Sequence, residues 1–261
     1  MKIGVVAPSR SLNPEAQALA TGLAPNGIEL VFHPQCFLQQ GHFAGPDKAR
    51  ATAFVDFAND PAFDAIWFAR GGYGACRLLD RVMPQLNQAA RAKTYLGYSD
   101  AGFLLAALYK RGIGKPVHGP MVMDGLLFGP EPVQRVLDYF SGASVPAIDQ
   151  KSVAFNIAVL ADLISTPYMP PLKGHVLMLE DIGEHLYRLD RALFNIFNSE
   201  AIKGAAGVKL GRVSNIPVND IPFGETIEEI VQRWCKSSGI SYLGRADIGH
   251  DAQNKIVPFG L

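Results

Sequence analysis

The sequence predicts an α/β fold, with a layered, mostly parallel sheet in an N-terminal domain and a smaller α+β C-terminal domain. Short apolar runs alternate with helical patterns through the first half of the chain, which is typical of parallel strands joined by helices. After about residue 125 the alternation becomes less regular and prolines accumulate, which indicates a change of structural unit.

The apolar runs of the first half predict five buried strands, at residues 3–7, 28–32, 65–69, 94–96 and 115–117. A helix is predicted to begin at Pro14, because Asn13 is a favourable N-cap and proline suits the first helical position. Further helices are predicted at residues 47–57 and 101–109. These elements make up the predicted layered sheet.

The domain junction is predicted at residues 141–152, after a short helical pattern at 132–140. We therefore predict an N-terminal domain over residues 1–143 and a C-terminal domain over residues 154–261. In the second half the patterns predict strands at 175–179 and near Val208 and Ile256, with helices at 187–197 and 226–236.

Composition limits the classes of function. Hydrophobic residues make up 48% of the 261 residues, which is enough to bury a core and argues against disorder. The 24 basic side chains equal the 24 acidic ones, so no chain-wide positive charge attracts nucleic acid. The three cysteines provide neither a disulfide framework nor a zinc pattern.

The sequence shows no export or membrane signal. The apolar run after Met1 stops at Pro8, which makes it too short for a signal-peptide core. No stretch approaches the roughly 20 apolar residues of a membrane span. We therefore expect a cytoplasmic protein without a membrane partner.

The segment Gly97-Tyr98-Ser99-Asp100-Ala101 lies between a predicted strand and a predicted helix, as a nucleophile elbow does. Such a sharp turn needs small residues two positions before and after the serine, and Gly97 and Ala101 meet that need. The alternative is that Ser99 or Asp100 simply caps the following helix. The motif alone favours neither interpretation.

The glycine-rich segment Arg70-Gly71-Gly72-Tyr73-Gly74 also follows a predicted strand. Its glycines either permit positive φ angles in a turn or let the backbone approach a substrate closely. The segment matches neither the Walker pattern nor the dinucleotide fingerprint. If the two loops are neighbours, the backbone N–H groups of Gly72 and Asp100 could form an oxyanion hole.

A serine nucleophile needs a base, and the base needs an orienting carboxylate. Of six histidines, His250 lies in a loop before a predicted final strand and His118 follows a predicted strand, so both are candidates. For the acid, Glu180 ends an apolar run, and Asp181 and Glu184 are close rivals.

Five segments, in this order, resemble the LD-carboxypeptidase family of serine peptidases, which also contains microcin-immunity peptidases. In chain order they are Arg70-Gly71-Gly72-Tyr73-Gly74, then Gly97-Tyr98-Ser99-Asp100, then His118-Gly119-Pro120-Met121, then Leu179-Glu180-Asp181-Ile182 with Glu184, Tyr187 and Arg191, and finally Gly249-His250 with Pro258-Phe259-Gly260. The similarity spans nearly the whole chain, from Ala7-Pro8 to the C-terminus.

The resemblance implies a Ser, Glu, His triad that falls on Ser99, Glu180 and His250, with an oxyanion hole formed by the N–H groups of Gly72 and Asp100. It implies a homodimer that removes terminal D-Ala from the murein tetrapeptide L-Ala-D-Glu-diaminopimelate-D-Ala during cytoplasmic cell-wall recycling. The implied reaction needs no metal or organic cofactor.

The chain departs from the family pattern in two ways. The family's Gly-Gly-Asn-Leu stretch corresponds here to Ala154-Phe155-Asn156-Ile157, and the chain is somewhat short. Which group binds the substrate's terminal carboxylate stays open among four arginines, Arg70, Arg188, Arg191 and Arg245. Three other functions remain as alternatives: a peptidase for a peptidyl-nucleotide antibiotic, a non-catalytic two-lobed binding protein, and a cysteine-dependent amidotransferase-like enzyme.

Overall fold

A computed structural model describes residues 1–143 and 150–260 of the chain. The strands in these ranges are β1 (Lys2–Val6), β2 (Glu29–Phe32), β3 (Ala65–Phe68), β4 (Thr94–Gly97), β5 (Lys115–His118), β6 (Ser152–Asn156), β7 (Val176–Ile182), β8 (Gly207–Ser214), β9 (Tyr242–Arg245) and β10 (Val257–Pro258). The α-helices are α1 (Pro14–Leu23), α2 (Asp47–Asn59), α3 (Leu79–Val82), α4 (Gly102–Lys110), α5 (Asp124–Phe128), α6 (Glu131–Phe140), α7 (Ile157–Leu163), α8 (Leu186–Phe197) and α9 (Ile227–Ser238).

The first sheet has the strand order β10-β5-β4-β3-β1-β2, and β1 to β5 are parallel. Its central strands β1, β3 and β4 bury both faces, as parallel strands do. Along β1 and β3, Val6 and Phe68 belong to one core cluster, whereas Val5 and Trp67 belong to the cluster on the other face. The predicted mostly parallel N-terminal sheet is confirmed.

Several predicted ends match the structure because local chemistry sets them. The side chain of Asn13 accepts a hydrogen bond from the N–H of Glu15 at the start of α1, as a favourable N-cap does. At the start of α9, Thr226 and Glu229 form a capping box. Both helices begin where the sequence predicts them.

The second sheet has the order β6-β7-β8-β9 and is parallel throughout. The sequence pattern did not reveal this regularity: it predicted no strand at β6 or β9, and β8 is longer than the brief strand predicted near Val208. The predicted junction at residues 141–152 overlaps residues 144–149, which lie outside the described residues. The domain boundaries 1–143 and 154–261 therefore stay a prediction.

The strand predicted near Ile256 does not join the second sheet. It is β10, which pairs antiparallel with β5, with Val257 opposite His118. The chain thus returns from the second unit to the first sheet at its end. Because Val257 lies opposite the last residue of β5, the loop before β10 is placed at the carboxyl edge of the first sheet.

The two units share buried side chains. Phe103 of α4 and Phe155 of β6 belong to the same core cluster. A Cβ built on Gly102 would lie 3.2 Å from Cγ1 of Val159, so glycine lets α4 approach α7 closely. This contact holds the carboxyl edges of the two sheets next to each other around one cavity.

Candidate active site

Ser99 lies in a strained turn at the carboxyl end of β4. Its φ angle is +56°, in the left-handed region that costs a non-glycine residue of order 1 kcal/mol or more. A Cβ at Gly97 would lie 2.6 Å from Cδ2 of Phe68, and Ala101 is fully buried, so both flanking positions require small residues. The turn has the geometry that the elbow prediction requires.

The capping alternative is wrong for both residues. In the described part of the chain, neither the turn at Ser99 nor α4 has a side-chain cap hydrogen bond. The Asp100 carboxylate instead accepts hydrogen bonds from the Ser9 hydroxyl and, at 2.8 Å, from the N–H of Ala75. Burial raises the pKa of this carboxyl, and the two hydrogen bonds oppose that effect.

The glycine-rich loop lies directly against Ser99. A Cβ on Gly71 would be 3.0 Å from Oγ of Ser99, and a Cβ on Gly72 would be 2.6 Å from Cγ of Arg10. Gly72 has a φ of +120°. Glycine is needed here both for the backbone conformation and for the close approach, so the two loops are neighbours, as an oxyanion hole would require.

His250 contacts Glu180 of β7. Its Nδ1 atom lies 2.6 Å from Oε2 of Glu180, whose side chain is fully buried in β7, whereas 12% of the His250 side chain is exposed. Burial lowers the pKa of His250, but the charge and hydrogen bond of Glu180 outweigh it and raise the net pKa above the usual value. A carboxylate placed this way fixes the ring and stabilises its cationic form.

The rival histidine, His118, is buried away from the cavity. Its Nε2 atom lies 3.0 Å from Oδ1 of Asn254, and that oxygen also accepts the N–H of Gly249 at 3.2 Å. Burial lowers the pKa of His118. This histidine therefore supports the loop that carries His250.

The rival acids have other partners. The Asp181 carboxylate accepts the N–H groups of Ala158 at 3.0 Å and Ile182 at 2.7 Å. Glu184 lies 3.8 Å from Arg188 in a surface ion pair. Of the three candidates, only Glu180 is hydrogen-bonded to a candidate histidine within the described residues.

Sequence reasoning missed a buried pair behind the histidine. The Tyr98 ring packs on the His250 ring with centroids 4.7 Å apart, and its hydroxyl donates to Asp124 at 3.2 Å. Asp124 also accepts the N–H of Met121 at 2.8 Å, and burial raises its pKa to about 6. The sequence signal for this pair is Asp124 itself, an acidic residue three positions after the segment His118-Gly119-Pro120-Met121.

A second missed residue is Arg212. Its guanidinium pairs with Asp247 and with Asp251, where Nη2 to Oδ1 is 2.9 Å, so it holds both sides of the His250 loop. The two aspartates that flank Gly249-His250 at a spacing of four residues were the signal for a cation partner.

All these loops surround a cavity of about 880 Å³. Ser99, His250, Gly72 and Asp100 line it, while Glu180 lies behind His250. The segment 154–157, which departs from the family's Gly-Gly-Asn-Leu pattern, reaches the cavity through Asn156. This residue caps α7 by accepting the N–H of Val159 at 3.1 Å.

Of the four arginines that the sequence left open, Arg70 lines the cavity. Arg188 and Arg245 pair with surface carboxylates, and Arg191 packs over the ring of Tyr187. Within the described ranges, no cluster of three or more His, Cys, Asp or Glu side chains is arranged to hold a metal ion. No α-helix in the described part of the chain has the length and apolar character needed to span a bilayer.

Comparison with known proteins identifies the family. A model of the LD-carboxypeptidase N-terminal domain matches residues 3–119, and a model of the C-terminal domain matches residues 151–261. Fold and site thus define a two-sheet α/β peptidase, a hydrolase. The chain belongs to the LD-carboxypeptidase family, as its sequence motifs indicated.

Two curated relatives cover almost the whole chain. A Synechocystis sp. protein, named by inference as a carboxypeptidase, is 30% identical over 99% of this chain and 89% of its own. The murein tetrapeptide carboxypeptidase of Pseudomonas aeruginosa is 24% identical over 99% of this chain and 91% of its own.

Solved structures share the fold. The muramoyltetrapeptide carboxypeptidase of Oxalobacter formigenes superposes with a TM-score of 0.82 at 24% identity, covering 98% of this chain and 93% of that one. The microcin C7 self-immunity protein MccF, bound to glutamyl sulfamoyl guanosine, has a TM-score of 0.80 at 16% identity, covering 100% and 91%. The two-domain α/β fold is therefore confirmed.

Proposed function

We propose that this protein is a serine-type LD-carboxypeptidase that releases terminal D-Ala from the murein tetrapeptide L-Ala-D-Glu-diaminopimelate-D-Ala. Family membership and the names of two relatives support the substrate class. The observation that carries the proposal is the 2.6 Å contact between His250 and Glu180 in a cavity that Ser99 also lines.

In the proposed mechanism, Nε2 of His250 takes the proton of Ser99 as Oγ attacks the carbonyl carbon of the diaminopimelate residue. Glu180 holds Nδ1 and stabilises the imidazolium. His250 then protonates the departing amine of D-Ala, and the C–N bond breaks. Water, activated by the same histidine, attacks the acyl-enzyme and restores Ser99.

The oxyanion that forms on the carbonyl needs donors that are already in place. We assign this role to the N–H groups of Gly72 and Asp100. The side chain of Asp100 supports the assignment, because its bonds to Ser9 and Ala75 fix the serine turn against the glycine loop. Preorganised donors of this kind typically contribute about a hundredfold or more each.

The reaction is directed at a bond between an L-centre and a D-residue. Inverting the configuration of the last α-carbon exchanges the directions of its methyl group and its carboxylate. A pocket shaped to hold both groups of a D-residue therefore leaves a polar group unpaired when an L-residue binds. An unpaired buried polar group costs about 1–3 kcal/mol, roughly tenfold or more in rate.

The experiment compares three peptides at equal enzyme concentration by chromatography and mass spectrometry: the tetrapeptide, its L-Ala-terminated analogue, and its C-terminal amide. We expect release of D-Ala, at least about tenfold slower cleavage of the L-terminated peptide, and slower cleavage of the amide. The Ser99→Ala variant is the control for contaminating peptidases. Equal rates on the D- and L-terminated peptides would remove the LD assignment.

A peptidyl nucleotide is the second candidate substrate. The cavity lining includes Tyr73, half exposed at the glycine loop, and Tyr168, and such rings can stack a base. MccF, which has the same fold, was solved in complex with glutamyl sulfamoyl guanosine, an aminoacyl nucleoside. Cleavage of an aminoacyl sulfamoyl nucleoside, with the tetrapeptide left intact, would move the assignment to this substrate.

We also propose that the protein works in the cytoplasm as a homodimer, where imported wall fragments reach it. Light scattering then gives about twice the 28.2 kDa chain mass. Tetrapeptide binding without D-Ala release would instead define a two-lobed binding protein. The amidotransferase alternative needs a cysteine at the elbow, where this chain has Ser99.

A further inference from the structure

Two arginines lie next to each other on the wall of the cavity. Arg10 follows β1 and Arg70 follows β3, and these strands are parallel neighbours, with Val6 opposite Phe68. The carboxyl ends of adjacent parallel strands meet at one edge of a sheet, so both loops reach the same place. Both side chains line the cavity that also contains Ser99 and His250.

Neither guanidinium has a carboxylate within 4.0 Å in the described ranges, although Arg212, Arg233 and Arg245 each have at least one. Arg70 makes only a long, 3.4 Å, hydrogen bond to the carbonyl of Ser11. Burial and the charge of Arg10 lower the pKa of Arg70, and the more distant charge of Asp124 opposes them only in part. Two adjacent cations with no carboxylate within ion-pair distance in the described ranges form a place where an anion is stabilised on binding.

The position of Arg10 relative to the glycine loop indicates which anion fits. Its side chain lies over Gly72, since a Cβ built there would be 2.6 Å from Cγ of Arg10. Gly72 supplies one of the two N–H groups that we assign to the oxyanion. In a peptide, the carboxyl carbon of the last residue is about 3–4 Å from the preceding carbonyl carbon, since three bonds separate them. A carboxylate beside the scissile carbonyl therefore comes close to Arg10.

We propose that Arg10 and Arg70 together bind the terminal carboxylate of the departing residue and so restrict the enzyme to the last peptide bond. The inference rests on the proposed function, because it assigns the direction in which the peptide lies. It makes Arg10, which no sequence motif singled out, a specificity-determining residue.

Binding to a Ser99→Ala background tests the pair without turnover. Calorimetry compares the murein tetrapeptide with its C-terminal amide, which differs only at the terminal carboxylate and keeps the other carboxylates. Arg10→Gln and Arg70→Gln are added singly, with Arg10→Lys and Arg70→Lys as charge-retaining variants. Arg245→Gln is the matched control, because Arg245 is paired with Glu228 outside the cavity lining.

We expect the free acid to bind at least about tenfold more tightly than the amide in the background and in the Arg245→Gln variant. Arg10→Gln and Arg70→Gln should each weaken binding of the free acid by about tenfold or more and leave binding of the amide nearly unchanged. The lysine variants should retain part of the preference for the free acid over the amide. Because Arg10 is exposed, its replacement leaves the fold intact.

If Arg10→Gln weakens binding of both peptides equally, or if the Ser99→Ala background shows no preference for the free acid, the assignment of the carboxylate site is overturned. Acid-selective binding that depends on both arginines, together with no D-Ala release by the unmodified protein, would contradict the proposed function and uphold the carboxylate site. Failure of the background to bind either peptide overturns both.

Discussion

Nδ1 of His250 and Oε2 of Glu180 lie 2.6 Å apart although 70 residues separate them in the chain. His250 lies in the loop between β9 and β10, and Glu180 lies in β7, a central strand of the second sheet. Both residues belong to the second unit, and docking of that unit against the first sheet brings His250 to the cavity that Ser99 also lines. The catalytic proposal depends on that docking.

Replacing Glu180 with glutamine tests this relationship. Glu180→Gln keeps the shape but removes the charge that favours the imidazolium, so we expect the pKa of His250 to fall. NMR titration of the His250 ring measures the shift. Turnover should fall by about 10²–10⁴-fold, because the ring loses its orienting anion. An unchanged pKa of His250 in this variant would show that Glu180 does not act on it.

The pH dependence of turnover distinguishes the two histidines. A general base must be neutral, and the pKa of His250 is raised while that of His118 is lowered. We expect kcat/KM to fall with one proton bound as the pH drops through a value above 6.5.

His250→Ala should abolish turnover, whereas His118→Ala, assayed well below its unfolding temperature, should retain most of it. An acid limb below 6.5, or the reverse order of damage, would contradict the assignment of His250 as the base.

Ser99 is the proposed nucleophile and also has a strained backbone conformation. Ser99→Ala should fold normally and lose at least about a thousandfold in turnover, and a chelator should leave the unmodified protein active. Ser99→Gly should also be inactive, but more stable than Ser99→Ala by about 1 kcal/mol, because glycine accepts the φ of +56° without strain. Denaturant unfolding measures the difference, and equal stabilities would argue against a strained elbow.

Gly72→Ala should reduce both stability and turnover. Alanine at a φ of +120°, facing the Arg10 side chain, costs about 1–3 kcal/mol and displaces the loop. Gly27→Ala is the matched control, since Gly27 also has a positive φ but has open space around its Cβ position. Gly27→Ala should lose stability and keep turnover. If both variants keep turnover, the Gly72 N–H has no catalytic role.

Asp124 should make stability depend on pH. Its pKa rises from 3.8 to about 6 on folding, so the folded protein binds the proton more tightly than the unfolded chain. The resulting stabilisation is complete below about pH 4 and is lost as the pH rises through 6, by an amount of order 2–3 kcal/mol.

The Asp124→Asn variant lacks this loss. The difference in unfolding free energy between the two proteins should therefore move in favour of the variant between pH 4 and pH 7. Asp181 has a similarly raised pKa but is present in both proteins, so its contribution cancels. A difference that does not change with pH would show that the Asp124 carboxyl is not buried as described.

The sequence by itself determined the first sheet and the place where the chemistry lies. Apolar runs marked β1 to β5, and Asn13 and Pro14 marked the start of α1, because burial and capping are local preferences. The turn at Ser99 was also readable, since its geometry requires small neighbours. The rule for parallel strand ends placed the glycine loop and Ser99 at the same edge of the sheet, and the strand order of the structure makes them neighbours.

The residue patterns left open which histidine, which acid and which arginines form the site. The family resemblance pointed to His250 and Glu180, and only the tertiary structure shows that these two residues are in contact and that Arg10 and Arg70 line the cavity. His250 and His118 each lie next to a glycine and near a predicted strand, and in the structure the contact with Glu180 distinguishes His250. The meeting of Arg10 with Arg70 likewise depends on β1 lying beside β3. Such contacts join residues far apart in the chain, so local propensity carries no information about them, and strand order and tertiary packing create them.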